Sequence, residues 1–270
     1  MNENLITLLR HGRHIMYRVL EPLDLATRLL NNKRNFPPLH LRSHVGDLND
    51  FEGSGGEYAA YLKLLCGLKP GGSLLDIGCG CGLMVLPVTE NLTLPEYIYP
   101  GRYIGVDIDK KSIDWCRRNI RYQNCIFLHV DGTGILLFGN ETFDVILVKS
   151  VFTHLLIDET ITYLKEIKRL LKPGGKCLST WFLVSEEQDR ISTEKKRLGW
   201  KPRYDFSFQS CNGHTWYLRP KRPRLAVAYE EDLLLNLIKL EGFNFEVRYG
   251  TWSGRQDGLS FQDIIIIRRQ

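Results

Sequence analysis

Short apolar runs recur through the middle and the end of the chain, and each leads into a polar or glycine-rich stretch. They lie within residues 74–82, 103–109, 125–134, 143–155, 163–183, 244–252 and 260–269. Segments with helical spacing lie between them, as in residues 227–243 and at the start of 163–183, where Pro173 is expected to stop the helix. The nearly continuous apolar run within residues 143–155 is typical of a strand that is buried on both faces. The pattern predicts an α/β protein with a mainly parallel sheet.

The stretch LLDIGCGCG, residues 74–82, combines a strand pattern with alternating glycines. Gly78 and Gly80 fit the start of a dinucleotide-binding loop, but Leu83 occupies the position of the third glycine. Asp76 precedes the loop, where a carboxylate suits an ammonium group better than a pyrophosphate. The next strand ends in Asp107, whose two oxygens can accept hydrogen bonds from both hydroxyls of a ribose.

This stretch resembles motif I of the class I S-adenosylmethionine-dependent methyltransferases, and residues 55–185 and 225–270 follow the order of segments in that family. The resemblance implies a Rossmann-like, seven-stranded, mostly parallel sheet whose last strand is antiparallel. It also implies S-adenosyl-L-methionine as the cofactor and S-adenosyl-L-homocysteine as the product. The residues that it assigns to cofactor binding are Asp76, Gly78, Cys79, Gly80, Gly82, Asp107, Ile108, Asp131, Gly132 and Lys149.

Changes in composition divide the chain into four regions. Residues 1–56 are expected to form a helical cap and a cofactor-covering loop, and residues 57–185 the cofactor-binding core. The basic and aromatic residues 186–224 are interpreted as an insertion that caps the substrate, and residues 225–270 complete the sheet.

The N-terminal region has an interrupted helical pattern of leucines with arginines between them, and Pro22 is expected to begin a helix. One interpretation is a cap helix that packs over the cofactor. The other is weak contact between this basic, amphipathic helix and a membrane surface. Residues 36–56 are rich in Pro, Gly, His and Asp, and this composition predicts a loop rather than a helix or strand. The loop is expected to pass over the cofactor pocket.

Ligands of open parallel sheets bind at the carboxyl ends of the strands, which places residues 149–154 beside the substrate. His154 is the candidate general base, because the pKa of histidine lies near neutrality. The alternative is a histidine that only caps the following helix. Thr153, Trp252 and Arg255 are further candidates for substrate contact, with Arg255 gripping a carboxylate or phosphate.

The resulting hypothesis is transfer of a methyl group to a small molecule. The favoured reaction is O-methylation of a sugar, lipid-linked or secondary-metabolite acceptor that is anionic or polyhydroxylated, with N-methylation next. An RNA methyltransferase that uses the basic residues 195–224 and a nicotinamide-dependent oxidoreductase are the alternatives.

Net charge and cysteine content say little about the substrate, but they bear on partners, compartment and metal binding. The net charge of +5 is modest and does not require a nucleic-acid partner. Seven cysteines without a visible framework indicate a reducing, cytoplasmic compartment, and no metal site is expected.

Overall fold

The computed structural model describes residues 16–31, 33, 36–43, 51–85, 93–206, 208–209 and 213–270. Its centre is a seven-stranded sheet in the order β10-β11-β5-β4-β1-β2-β3. The strands are β1 (Ser73–Ile77), β2 (Arg102–Asp107), β3 (Cys125–His129), β4 (Phe143–Val148), β5 (Leu171–Trp181), β10 (Phe243–Arg248) and β11 (Asp263–Arg269). Strand β11 is antiparallel to both of its neighbours, and the other strands run parallel to one another. The α/β fold expected from the sequence is therefore confirmed.

Helices cover both faces of this sheet. The helices in the described part of the chain are α1 (Glu21–Leu30), α2 (Leu39–Arg42), α3 (Phe51–Leu64), α4 (Leu94–Ile98), α5 (Lys110–Asn119), α6 (Ile157–Leu170), α7 (Glu186–Arg197) and α8 (Glu231–Leu240). Helices α1 and α7 contribute no residue to the two core clusters of the sheet. Leu74 of β1 packs in one apolar cluster with residues of α3, α4 and α5, whereas Leu75 packs in a second cluster with residues of α6 and α8. Consecutive residues of the strand thus serve opposite layers of the core, as a doubly covered parallel sheet requires.

A second, smaller sheet lies beside the carboxyl ends of the main one. It has the order β6-β9-β8-β7, formed by β6 (Leu183–Val184), β9 (Val227–Glu230), β8 (Thr215–Tyr217) and β7 (Phe208–Gln209). The predicted insertion 186–224 contributes β7 and β8 to this sheet, whereas β6 and β9 come from outside it. The boundaries of the four predicted regions stay a prediction.

Buried Asp263 connects the two sheets. Its carboxylate accepts hydrogen bonds from the backbone N–H of Leu183 (2.8 Å), that of Gly250 (2.8 Å) and the indole N–H of Trp252 (2.6 Å). Because Leu183 begins β6, one side chain at the start of β11 fixes the first strand of the small sheet.

Three local expectations are corrected. Residues 227–243 do not form one helix, since the first four pair as β9 before α8 begins. Residues 36–56 are not wholly a loop, because they contain α2 and the start of α3; residues 44–50 lie outside the described part. Helix α6 ends at Leu170 rather than at Pro173. The Lys-Pro-Gly-Gly stretch then bulges from β5, so that the pairing with β4 jumps from Leu171 to Lys176.

Candidate functional site

A cavity of about 1290 Å³ opens at the carboxyl ends of β1, β2 and β4. This volume exceeds that of an ordinary pocket for one drug-sized ligand. We call its two parts the glycine-loop side and the aromatic side. The glycine-loop side is lined by Asp76, Gly78, Cys79, Gly80, Asp107, Ile108, Asp131, Gly132 and Lys149. The aromatic side is lined by Ser150, Thr153, His154, Phe182, Arg203, Tyr204, Arg224 and Gln262.

Bare backbone forms the floor of the glycine-loop side. Gly78 and Gly80 have positive φ angles of 79° and 52°, and a Cβ on Gly78 would lie 2.3 Å from Cγ2 of Val151. The N–H of Gly78 donates to the carbonyl of Val106 (2.8 Å), which ties the loop to β2. Only glycine combines this conformation with this close approach, so the loop can lie directly against a ligand.

Three buried thiols pack beneath that loop. The thiols of Cys79 and Cys116 both donate to the carbonyl of Gly80, with sulfur–oxygen distances of 3.7 Å. Burial raises the pKa of Cys79 and Cys116, and raises that of Cys81 to about 12. These side chains are therefore neutral packing groups.

Gly82 differs from the other two glycines of the motif. It does not line the cavity, and a Cβ there would lie 2.6 Å from Cδ1 of Ile120. The structure therefore places it against the layer of α5 rather than beside the ligand, where it was expected.

Asp107 ends β2 with both carboxylate oxygens facing backbone donors. Oδ2 accepts from the N–H of Gly80 (2.7 Å) and Oδ1 from the N–H of Asp109 (2.7 Å). Each oxygen can accept a further bond, so the carboxylate can serve a pair of vicinal hydroxyls. The exposed side chain of Ile108 beside it adds an apolar wall.

Asp131 stands at the far end of the glycine-loop side. It accepts from the backbone N–H (3.0 Å) and the hydroxyl (2.8 Å) of Thr133. These bonds lower the pKa of Asp131 and keep it ionised near neutral pH. Gly132 follows with a positive φ of 80°, and a Cβ at this position would lie 3.1 Å from Cγ2 of Ile108. As a glycine, it leaves the wall beside Ile108 free of a side chain.

Asp76 lies at the inner end of the same side, almost fully buried. The pKa of its carboxyl is raised from 3.8 to about 7: desolvation is the main cause and Asp107 adds to it, whereas the Tyr103 hydrogen bond and Lys149 act in the opposite direction. The Tyr103 hydroxyl donates to Oδ2 at 2.5 Å. Nζ of Lys149 lies 5.0 Å from the centre of the Tyr58 ring. A buried carboxylate that titrates near neutral pH gains from a bound cation.

The loop after β4 forms the border between the two sides. Ser150 has a φ of +57°, rare for a residue other than glycine. Its N–H donates to the Thr180 hydroxyl (2.7 Å) and its hydroxyl to Oε1 of Gln262 (2.9 Å). These bonds from β5 and from the residue before β11 hold the strained backbone in place.

Thr153 and His154 follow on this loop. Thr153 belongs to the cavity wall but is only 1 % exposed, and its buried hydroxyl has no hydrogen-bond partner within the described part of the chain. Nδ1 of His154 lies 3.0 Å from the carbonyl oxygen of Arg224. Because a carbonyl only accepts, Nδ1 carries the hydrogen and the neutral ring keeps its lone pair on Nε2. His154 can therefore accept a proton through Nε2.

Aromatic and cationic side chains complete the aromatic side. The rings of Phe182 and Tyr204 lie 5.0 Å apart, and the guanidinium of Arg203 lies 5.8 Å from the Tyr204 ring. Arg224 pairs with Glu159 at 2.8 Å. Phe182 was not predicted as a site residue, although it follows directly on the end of β5. Arg203 and Tyr204 were predicted only as part of the basic, aromatic insertion 186–224.

Trp252 and Arg255 do not line the cavity. Trp252 is buried against the rings of Phe182 (5.4 Å) and Phe206, and its N–H is used by Asp263. Arg255 pairs with Glu187 (2.9 Å) and lies over the Tyr249 ring (4.8 Å). The structure places neither side chain where substrate contact was expected, because the turn that carries them packs against α7 and the small sheet.

Known proteins with similar sequences include methyltransferases. Residues 75–179 match the family described as "Methyltransferase domain". An uncharacterized methyltransferase of Schizosaccharomyces pombe is 30 % identical over 128 residues, which are 44 % of this chain and 41 % of that protein. The chain contains a class I S-adenosylmethionine-dependent methyltransferase domain. Since it spans less than half the length of the yeast relative, activity and substrates remain matters for proposal.

Two further similarities fit the methyltransferase domain. A ubiquinone biosynthesis O-methyltransferase of Pelagibacter ubique is 24 % identical, over 68 % of this chain and 70 % of that protein. A solved S-adenosylmethionine-dependent methyltransferase of Mesorhizobium loti shares the fold, with a TM-score of 0.52 and 15 % identity over 81 % of this chain and 100 % of that chain. The family and the cofactor expected from motif I are confirmed, and the oxidoreductase alternative is not supported.

The glycine-loop side fits S-adenosylmethionine. Asp76 suits the ammonium group, Asp107 the ribose hydroxyls, and Ile108 with Asp131 the adenine. Among the described residues, no three His, Cys, Asp or Glu side chains are grouped to hold a metal ion. No helix in the described ranges has both the length and the apolar character needed to cross a bilayer.

Proposed function

We propose that this protein transfers a methyl group from S-adenosylmethionine to a hydroxyl of a small sugar, lipid-linked or secondary-metabolite acceptor, with His154 as the general base. One observation carries the proposal: His154 lines the cavity that the glycine loop also lines, and because its Nδ1 faces the Arg224 carbonyl, Nε2 is the ring atom left to accept a proton. A hydroxyl is a weak nucleophile until its proton is taken, so a base at this place suits O-methylation.

When bound, the cofactor supplies an electrophilic methyl group, and the protein supplies alignment and the base. An acceptor held on the aromatic side would have its hydroxyl beside Nε2 of His154. Nε2 takes the hydroxyl proton as the oxygen attacks, and the Arg224 carbonyl, bonded to Nδ1–H, stabilises the imidazolium that forms.

The aromatic side supports an acceptor with an apolar body and an anionic or polyhydroxylated part. Half-buried Tyr204 offers part of its ring, and Arg203 and the Glu159-paired Arg224 bring guanidinium groups to the cavity wall. The relative named for ubiquinone biosynthesis O-methylation supports the same reaction type. Tyr204 and Phe206 pack around Phe182, which favours a small molecule over an RNA strand that would need exposed rings for stacking.

The test measures transfer of labelled methyl groups to a panel of hydroxylated acceptors: acidic phenols, phosphorylated sugars, polyprenyl-linked phenols, matched amines and RNA. We expect acidic or polyhydroxylated alcohols to be methylated and their O-blocked analogues to be inert. Transfer confined to amines, to neutral apolar acceptors or to RNA, with steep salt dependence in the last case, would overturn the proposal.

A further inference from the structure

Residues 16–30 turn apolar side chains toward solvent. Leu20 N–H donates to the carbonyl of Met16 and Asp24 N–H to that of Leu20, both at 2.9 Å, so the helical turns before α1 continue into it. Exposure is 48 % for Met16, 71 % for Val19, 67 % for Leu23 and 85 % for Leu30. With Ala26 these residues follow the spacing of a single helix face, which we call the apolar face.

The polar side of the same helix faces the protein. Arg28 is 8 % exposed, and it donates to Asp24 (2.7 Å), to Glu21 (3.2 Å) and to the carbonyl of Phe36 (2.7 Å). Arg42 of α2 also pairs with Asp24. Both acids of α1 are thus engaged by cations, and this polar network anchors the helix while its apolar face remains uncovered.

The charge left on the exposed surface is positive. Arg18 is the only charged residue of 16–30 that is exposed. Glu21 and Asp24 are partly shielded and ion-paired. An apolar face edged by a cation and without an exposed acid complements anionic lipid headgroups. A two-fold contact with a second copy would offer no acid to Arg18, since both copies would present the same surface.

The apolar face also borders the cavity. Arg18, on the same turns of helix, lines the cavity together with His40, Leu41 and Ser43 of the following segment. We infer that the apolar face, formed by Met16, Val19, Leu23, Ala26 and Leu30, docks the protein on an anionic lipid surface with the cavity next to the bilayer. The inference concerns a surface outside the catalytic residues and holds whichever acceptor is methylated.

The experiment is cosedimentation of the full chain with vesicles of phosphatidylcholine, with and without about one third phosphatidylglycerol. The test variant is Leu23→Asp. The matched control is Leu137→Asp, which adds the same charge at a side chain that is 99 % exposed elsewhere. Burying one leucine favours binding enough that Leu23→Asp should lower the partition coefficient on anionic vesicles at least about tenfold. The control should bind like the wild type.

High salt should weaken wild-type binding to anionic vesicles, because part of the attraction is electrostatic. Calorimetric titration with S-adenosylhomocysteine should give equal affinity in all three proteins, which shows that the variants fold. Equal partition of Leu23→Asp and Leu137→Asp, or no partition of the wild type, would overturn the inference. So would light scattering that shows a dimer dissociated by Leu23→Asp, without vesicle binding, since a second copy would then cover the face.

Discussion

The glycine-loop side and the aromatic side of the cavity are built in different ways. The first is formed mainly at the ends of three neighbouring strands, β1, β2 and β3, and its groups are mostly backbone atoms and carboxylates beside the backbone, with Ile108 and Lys149 added. The second gathers side chains from the loop after β4, the residue after β5, the insertion and the residue before β11. A constant ligand suits the first design, and an acceptor that varies between related proteins suits the second.

This difference leads to separable effects of substitution. Changes on the glycine-loop side should alter cofactor affinity, and changes on the aromatic side should alter turnover or acceptor use. The largest expected effect comes from His154→Ala. Loss of a general base should lower turnover about 10²–10⁴-fold while the affinity for S-adenosylhomocysteine stays within about twofold.

The measurement for His154→Ala is the rate at saturating acceptor, across the pH range in which the enzyme is active. The control is His214→Ala, at a histidine that bonds Glu230 in the small sheet and does not line the cavity. An unchanged rate for His154→Ala would return this histidine to the helix-capping interpretation.

The second effect concerns the attachment of the aromatic side. Asp263→Ala leaves the N–H donors of Leu183, Gly250 and Trp252 without their acceptor. We expect the free energy of unfolding to fall by about 2–4 kcal/mol, as for other buried donors left without partners. Chemical denaturation measures this, with the exposed Asp257→Ala as control. A loss no larger than that of the control would show that Asp263 does not hold the small sheet.

The third effect belongs to the glycine-loop side. Asp107→Ala removes the carboxylate that is placed for the ribose and that also accepts from Gly80. The affinity for S-adenosylhomocysteine should weaken by about 1.5–3 kcal/mol, the size of a lost charge-assisted hydrogen bond. Calorimetry on this variant and on Asp114→Ala, whose carboxylate pairs with Lys110 on the surface, makes the comparison. Equal affinities would remove the ribose assignment.

The smallest effect is a shift in pH dependence. The pKa of Asp76 is raised to about 7, so below pH 7 its carboxyl is mostly protonated and must lose a proton to pair with an ammonium group. Cofactor affinity should therefore fall with decreasing pH, by at most about tenfold per pH unit. In Tyr103→Phe the hydrogen bond that lowers this pKa is lost, and the fall should begin at higher pH. A pH profile that does not move in this variant would show that Asp76 does not control the affinity.

The position of the glycine-loop side could be predicted from the sequence, because its residues lie next to strand ends; their individual contacts with the cofactor stay a prediction. Nine of the ten residues assigned to the cofactor line the cavity, and Gly82 alone packs elsewhere. The aromatic side was predicted less well, since its geometry depends on how the small sheet and the turn before β11 pack. Arg255 lies in a turn at the expected edge, but its guanidinium pairs with Glu187. No pattern in the sequence reveals that partner.

Helix α1 gives the same lesson in another form. Its leucine spacing predicted a helix, and Pro22 lies in its first turn as expected. The usual assumption that the apolar face packs inward is wrong here, because the polar side chains of the helix bind the following segment: Asp24 pairs with Arg42, and Arg28 donates to the carbonyl of Phe36. Side-chain partners distant in sequence decided the orientation, which periodicity alone does not encode.

The thiols beneath the glycine loop make the loop observable in solution. Cys79, Cys81 and Cys116 are buried and their raised pKa values keep them protonated, so alkylating reagents can reach them only when the loop opens. The rate at which these thiols are alkylated therefore reports how often the glycine-loop side opens locally. A ligand that rests on Gly78 and Gly80 should lower the alkylation rate. The ratio of the rates without and with ligand would give the free energy by which the ligand stabilises the closed loop.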